Sequence, residues 1–269
     1  MGNSGLLGSV LPDRDAYRAL ARALLPERLL ALVIEAAQAK TPLRLVIVPD
    51  EALFGLPFAA LVLDEDHLLV HGAVSSVCPT LSLYASAVGQ DPPSASGGVS
   101  HLDSGLVTDA ERKALDSLGS PYGPVSRAIT RGDVTTSLAG PLRFMALGVH
   151  CDDEPGLRQS LLLADGTGLS AGALLGRPLP YEASLGACYV ARLPLGLATV
   201  FLTQGTSCLL APLGAANDVT TDAVLAACYA RLGEDTDLTA ALRLAQLHYL
   251  EAHPGARPRH WASIVAMGA

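Results

Sequence analysis

Short, nearly uninterrupted apolar runs alternate along this chain with stretches whose apolar residues recur at helical spacing. LRLVIV at 43–48, LRFMALGVH at 142–150 and ASLGACYVA at 183–191 carry few or no polar positions. Runs of that length without alternation predict strands buried on both faces, as in a parallel sheet covered by helices. The run at 43–48, stopped by Pro49 and Asp50, is expected to be a central strand. Shorter strands are expected at 98–102, 208–212 and 262–267, and HLLVHGAVSSV at 67–77 reads as a turn followed by one or two strands. Helical spacing predicts two helices, or one kinked helix, over 13–40, with Asp13 as N-cap and Pro26 in the first turn of the second. Further helices are expected at 81–88, 169–175, 195–203, 220–232 and 238–253. Thr108 with Glu111 three residues on has the spacing of a capping box and starts another. Strands alternating with helices give an α/β domain whose mainly parallel central sheet has helices on both faces. GQDPPSASGG at 89–98 has linker composition, yet the rhythm resumes after it, so one domain is expected over 1–269, with 1–40 as lead-in helices and 41–269 as the α/β core.

Composition narrows the classes of function. Half of the 269 residues are hydrophobic and 16% are charged, which excludes intrinsic disorder. Acidic residues outnumber basic ones by 26 to 18, for a net charge of -8, so the long-range field repels nucleic acid and anionic membrane surfaces. The uncharged stretch 193–217 is divided by Pro194, Gly196, Gln204, Gly205, Pro212 and Gly214, and reads as a buried helix, a turn and a buried strand rather than a membrane span. Five cysteines, without CxxC spacing or a secretory leader ahead of them, fit a reducing, cytoplasmic setting. No metal or cofactor motif stands out; His150 with Asp152, Asp153 and Glu154 is a run of sequence neighbours without a second histidine at ligand spacing, and reads as a solvated loop.

In open parallel sheets, sites form at the carboxyl ends of strands, and two reactive residues fall at such ends: His150 and Cys188. A thiol becomes a strong nucleophile when an imidazole takes its proton, and adjacent strands would bring the two together. The plainer alternative is a polar strand terminus and a small buried hydrophobe. Ser170 lies in GLSAG, which fits the G-x-S-x-G elbow of serine hydrolases, with later histidines in the right order. Asp165, Gly166 and Thr167 separate it from the preceding apolar run, however, so Ser170 reads as a residue near a helix start.

The run LRLVIVPDEALFGLPFAAL at 43–61 resembles the opening strand and Pro-Asp turn of CHAT domains, bacterial caspase-like cysteine peptidases often fused to tetratricopeptide repeats. RFMALGVH resembles the family's histidine strand, SLLLADGTGLSAGALL the strand and helix after it, and SLGAC its cysteine strand. LATVFLTQGTSCLLAPLGAANDVTTDAVLAACYARL, ALRLAQ and WASIVAMGA continue the likeness in order, so that it covers residues 15–269. The resemblance implies a caspase-like fold and a cysteine endopeptidase, with Cys188 as nucleophile, His150 as general base and acid, no cofactor, a protein substrate and a controlling sensor or repeat partner. It also implies an oxyanion hole made by the amide of Cys188 and the amide of the residue after the histidine. That residue is Cys151, where the family usually has glycine, and the departure opens the alternative of a catalytically impaired interaction module. Asp152 and Asp153 are candidates for an acidic substrate pocket, against the reading that they are solvated. The resemblance leaves the oligomeric state open.

Overall fold

The computed structural model describes residues 14–93, 97–102, 106–128, 130–139, 141–152, 154–191, 196–215, 218–232 and 236–269. The chain enters through α1 (Arg14–Leu24) and α2 (Glu27–Ala39), then β1 (Leu43–Ile47), a single turn α3 (Leu69–Gly72), β2 (Ala73–Val77) and α4 (Leu81–Val88). It continues through β3 (Gly98–Leu102), α5 (Asp109–Asp116), β4 (Val125–Arg127), α6 (Arg131–Ser137) and β5 (Phe144–Gly148). A small antiparallel excursion follows, β6 (His150–Cys151), β7 (Ser160–Leu162) and β8 (Gly168–Ser170), leading into α7 (Ala171–Leu174). The rest is β9 (Glu182–Leu185), α8 (Leu197–Thr203), β10 (Cys208–Pro212), α9 (Asp218–Leu232), α10 (Leu238–Ala252), α11 (Pro258–Trp261) and β11 (Ile264–Gly268). The expected N-cap Asp13 and part of the linker, residues 94–96, lie outside the described residues, and Pro26 caps α2 instead of sitting inside its first turn.

Eight strands form one sheet in the order β1-β2-β11-β10-β9-β5-β3-β4, and every neighbouring pair is parallel except β10 with β11. The sheet is thus mainly parallel, with its direction reversing once. Two separate sets of helices cover it. α2, α3, α5, α9, α10 and α11 pack together against β2, β10 and β11, while α4, α7 and α8 pack together against β10 and β11. Every residue of β5, β9, β10 and β11 is buried between them, which is why these runs contain almost no charge.

Two local expectations need correction. β1 is an edge strand, not a central one, with Leu43 and Arg44 exposed at its start. An apolar run reports whether the faces of a strand are covered and says little about how many strands flank it. Residues 69–72 form α3 and not a strand, because His71 folds back and its Nδ1 accepts the Leu68 N–H at 2.8 Å, closing a turn that an extended chain cannot make. β3 begins at Gly98, the last residue of the linker-like stretch, and joins the same sheet as β1 and β2. Among the described residues no helix is long and apolar enough to cross a membrane.

Candidate active site

β5 and β9 are parallel neighbours in register from Phe144 with Glu182 to Leu147 with Leu185. The pairing runs one step further, since the Gly186 N–H donates to the Leu147 carbonyl at 2.7 Å. A methyl at Gly186 would sit 3.6 Å from the Gly148 Cα, so the two glycines face each other where the strands end. Two residues beyond each glycine stand His150 and Cys188. Both line one cleft, with Gly148, Val149 and Gly186 along the same wall.

Past the glycines the two chains diverge. His150 and Cys151 leave the main sheet and pair antiparallel with β7, His150 opposite Leu162 and Cys151 opposite Leu161. The Asp152 N–H donates to the Ser160 carbonyl at 3.0 Å, so that pair shares ladder hydrogen bonds. Bonded and non-bonded pairs alternate in an antiparallel ladder, so the Cys151 amide faces away from β7. Cys151 is not among the described residues with positive φ, so its backbone does not need the freedom of glycine. Its thiol is partly buried and donates to the Asp152 carbonyl at 3.2 Å.

Cys188 sits on a turn three residues past the end of β9, not on the strand itself. The turn is sharp: Tyr189 has φ +61°, a conformation costly for a bulky side chain and found where surrounding structure enforces it. The enforcing bonds run to the end of β10, with the Tyr189 N–H on the Gly214 carbonyl and the Ala191 N–H on the Pro212 carbonyl, each 3.0 Å. Gln159, fully buried, ties the histidine hairpin to this turn. Its Nε2 reaches the Tyr189 carbonyl at 3.5 Å, and its Oε1 accepts the Leu197 N–H at the start of α8 at 2.8 Å.

The remaining candidates fall elsewhere. One carboxylate oxygen of Asp152 accepts the Ser160 N–H at 2.8 Å, turning it onto its own hairpin, and Asp152 is not among the residues lining the cleft. Asp153 lies outside the described residues. Ser170 is the N-cap of α7, its hydroxyl oxygen accepting the Ala173 N–H at 3.2 Å. Cys78, Cys208 and Cys228 are core residues whose thiols are pushed up by burial, that of Cys208 to about 12. No group of three or more His, Cys, Asp or Glu side chains is placed to hold a metal ion among the described residues.

The far side of the cleft is made by α5 and α9, which contribute Glu111, Thr221 and Asp222. Pattern reading missed all three as site residues: Glu111 is an ordinary acidic residue of a first helical turn, and Thr221 and Asp222 stand on a stretch read only as an amphipathic helix. Thr108 caps α5 as expected, accepting the Glu111 N–H at 3.3 Å. The box is not closed by Glu111. Asp222 takes the Thr108 N–H at 2.7 Å, and the Glu111 carboxyl is buried against Asp222 and Tyr229. Burial, then the negative charge of Asp222, pushes the Glu111 carboxyl up to about 9, so it is protonated at neutral pH.

A carboxyl raised in this way binds its proton more tightly folded than unfolded. Its stabilising contribution is complete below the ordinary carboxylate range near 4.5 and is lost as the pH climbs towards 9. Glu111→Gln, which imitates the protonated group, is expected to match the wild type in thermal stability at pH 4 and to exceed it at pH 9. Parallel melting curves across that range would expose an error if they showed no widening gap.

A family model for the CHAT domain matches residues 14–269. The chain belongs to the CHAT domain family. Among solved structures it is similar to separase in the Saccharomyces cerevisiae separase–securin complex, with a TM-score of 0.56 and 11% identity over 83% of this chain and 15% of that one. It is also similar to the Arg-specific cysteine proteinase gingipain R, with a TM-score of 0.61 and 10% identity over 90% of this chain and 68% of that one. No curated protein sequence matches it. At these identities the likeness establishes a protease-like, caspase-like α/β fold, and the chain spans only a small part of the separase it resembles.

Proposed function

We propose that this CHAT domain is a cysteine endopeptidase in which Cys188 is the nucleophile and His150 its general base and acid. One observation carries the reading: the ends of two neighbouring strands, in register, deliver the imidazole and the thiol to one cleft. In the implied reaction the Cys188 thiolate adds to a peptide carbonyl, and the imidazolium of His150 protonates the departing amine. Water, deprotonated by His150, then releases the acyl group from the thioester and restores the thiol. The oxyanion would be met by the amides of Cys188 and Cys151. The ordinary φ of Cys151 and its outward-facing amide support that role despite the cysteine in the glycine's place, and favour a working site over an impaired interaction module.

A protein substrate, a single domain over the whole chain, a reducing cytoplasmic setting and control by a sensor or repeat-containing partner complete the proposal. All five cysteines are free thiols.

Thiol reactivity tests the dyad without a known substrate. Cys78, Cys208 and Cys228 are buried, which leaves Cys188 and Cys151 as the accessible thiols. In the wild type, Cys188 is expected to react with iodoacetamide about tenfold faster than Cys151 near pH 7, and His150→Ala should slow Cys188 selectively. Equal Cys188 rates in wild type and His150→Ala, read by mass spectrometry of the labelled peptides, would count decisively against the pair.

A further inference from the structure

The register of β5 with β9 aligns His150 and Cys188 only as far as the glycines. Beyond them His150 belongs to the β6–β7 hairpin, and Cys188 to a turn hung on the end of β10. Gln159 spans the two. Its neighbour Ser160 is held to Asp152, two residues past His150: the Ser160 carbonyl accepts the Asp152 N–H at 3.0 Å, and the Ser160 N–H donates to the Asp152 carboxylate at 2.8 Å. The Gln159 backbone is fixed as well, with its N–H on the Gly156 carbonyl at 3.1 Å and its carbonyl accepting the Ala171 N–H at 2.8 Å. From that anchored point the fully buried carboxamide reaches both ends of the segment after the nucleophile, the Tyr189 carbonyl and the Leu197 N–H. The two bonds do different things. α8 begins at Leu197, and its N-cap Gly196 has no side chain to accept an amide of the first turn, so the Oε1 bond completes a helix start. The Nε2 bond serves no helix end; it holds the carbonyl of a residue kept at φ +61°, one position after the thiol. Burying a carboxamide where an apolar side chain would pack costs free energy unless its polar atoms find such partners.

We infer that Gln159 is a positioning residue of the dyad: its side-chain N–H, carried on the histidine hairpin, fixes the Cys188 turn through the Tyr189 carbonyl and so keeps the thiol aligned with the imidazole. The inference rests on the peptidase reading, because alignment matters only where His150 takes the Cys188 proton. Gln159 is not among the residues lining the cleft, so it acts through the turn and not on a substrate. Proton transfer needs the two heavy atoms within hydrogen-bond reach, and a displacement of about 1 Å is enough to slow it many-fold. Glutamate at this position separates the two bonds. As a carboxylate it still accepts the Leu197 N–H but cannot donate to the Tyr189 carbonyl; as a carboxylic acid it does both. Methionine keeps the length of the side chain and removes both bonds.

Iodoacetamide labelling of each cysteine, followed by peptide mass spectrometry between pH 5.5 and pH 7.5 in wild type, His150→Ala, Gln159→Met and Gln159→Glu, tests the role. Gln159→Met is expected to label Cys188 about tenfold more slowly than the wild type, with Cys78, Cys208 and Cys228 no faster. Loosened packing has the opposite signature, because opening the core speeds the labelling of buried thiols. Gln159→Glu should stay within about twofold of the wild type at pH 5.5, where its buried carboxyl keeps the proton, and fall towards the Gln159→Met rate as that carboxyl ionises. Slow His150→Ala with Gln159→Met at the wild-type rate overturns the positioning role and leaves the dyad standing. Gln159→Glu as slow as Gln159→Met at pH 5.5, or faster labelling of the three buried thiols in Gln159→Met, overturns it too, since the residue is then only structural. Where Gln159→Met does not fold, Gln159→Glu decides alone: a fall of about fivefold relative to the wild type between pH 5.5 and pH 7.5 supports the role, and a constant ratio overturns it. His150→Ala at the wild-type rate overturns the dyad itself, and the alignment with it.

Discussion

Replacing Cys188 with alanine is expected to lower peptide hydrolysis by at least about a thousandfold, to the level of the uncatalysed background. Alanine keeps the Cβ that the turn already accommodates, so the variant should melt like the wild type, and the loss is then chemical. His150→Ala should produce a loss of similar size. The double variant should be no worse than either single one, because nucleophile and base act as a unit and removing one disables both. The experiment is a proteome-wide cleavage profile by peptide mass spectrometry, with Cys188→Ala as the blank. Cleavage that persists in Cys188→Ala within tenfold of the wild type would assign the activity to some other group and remove the proposed mechanism.

The second large effect is on stability and lies at the other end of the same two strands. Arg143 precedes β5, and its guanidinium stands 3.0 Å from the Glu182 carboxylate at the start of β9, with side chains 12% and 6% exposed. Tyr122 and Tyr181 lie under that guanidinium at 5.2 and 4.7 Å. Phe144 pairs with Glu182, so this ion pair sits at the foot of the register that places His150 near Cys188 at the top. Removing the cation leaves a carboxylate buried alone, and Arg143→Met should cost about 3–5 kcal/mol at pH 8.

The pH dependence gives the sign. Burial already raises the Glu182 carboxyl above its usual range, more than the opposing pull of Arg143 lowers it. Without Arg143 it rises further, so the variant holds a proton there that the unfolded chain has released. Its stability is kept at low pH and lost as the pH rises, and the deficit relative to the wild type should be smaller at pH 5 than at pH 8. Arg143→Met combined with Glu182→Leu should recover most of the loss, since no charge is then stranded. Urea titrations at both pH values measure this; a single variant as stable as the wild type at pH 8 would show that the pair is not holding the strands.

Much of the secondary structure is written locally. β3, β10 and α4 fall at the expected residues, and α8, α9 and α10 within two or three of them. The reason is local: uninterrupted apolar runs, apolar residues at helical spacing, capping by Thr80 and Thr108, and termination at glycine and proline all act within a turn or two of the chain. The two candidate reactive residues were legible for the same reason, because each follows an apolar run and strand ends are where open sheets place sites. The position of Cys188 was legible only in part. The run ASLGACYVA looks continuous, yet the strand stops at Leu185, and the turn that presents the thiol depends on bonds from residues 189 and 191 to Pro212 and Gly214.

The sequence by itself determined the α/β alternation, the apolar strands of the core, the family likeness, and His150 and Cys188 as candidates. The acidic excess, first a reason to set nucleic acid aside, carried no positional information. Only the tertiary structure decided that β1 is an edge, that the sheet reverses between β10 and β11, and that Glu111 meets Asp222 beneath the cleft. Their side chains meet although 111 positions separate them, and nothing in the local pattern of either helix marks the encounter. Burial of a carboxyl and the partners left to it depend on which surfaces pack together, and packing is set by the fit of the whole core rather than by any stretch of neighbours.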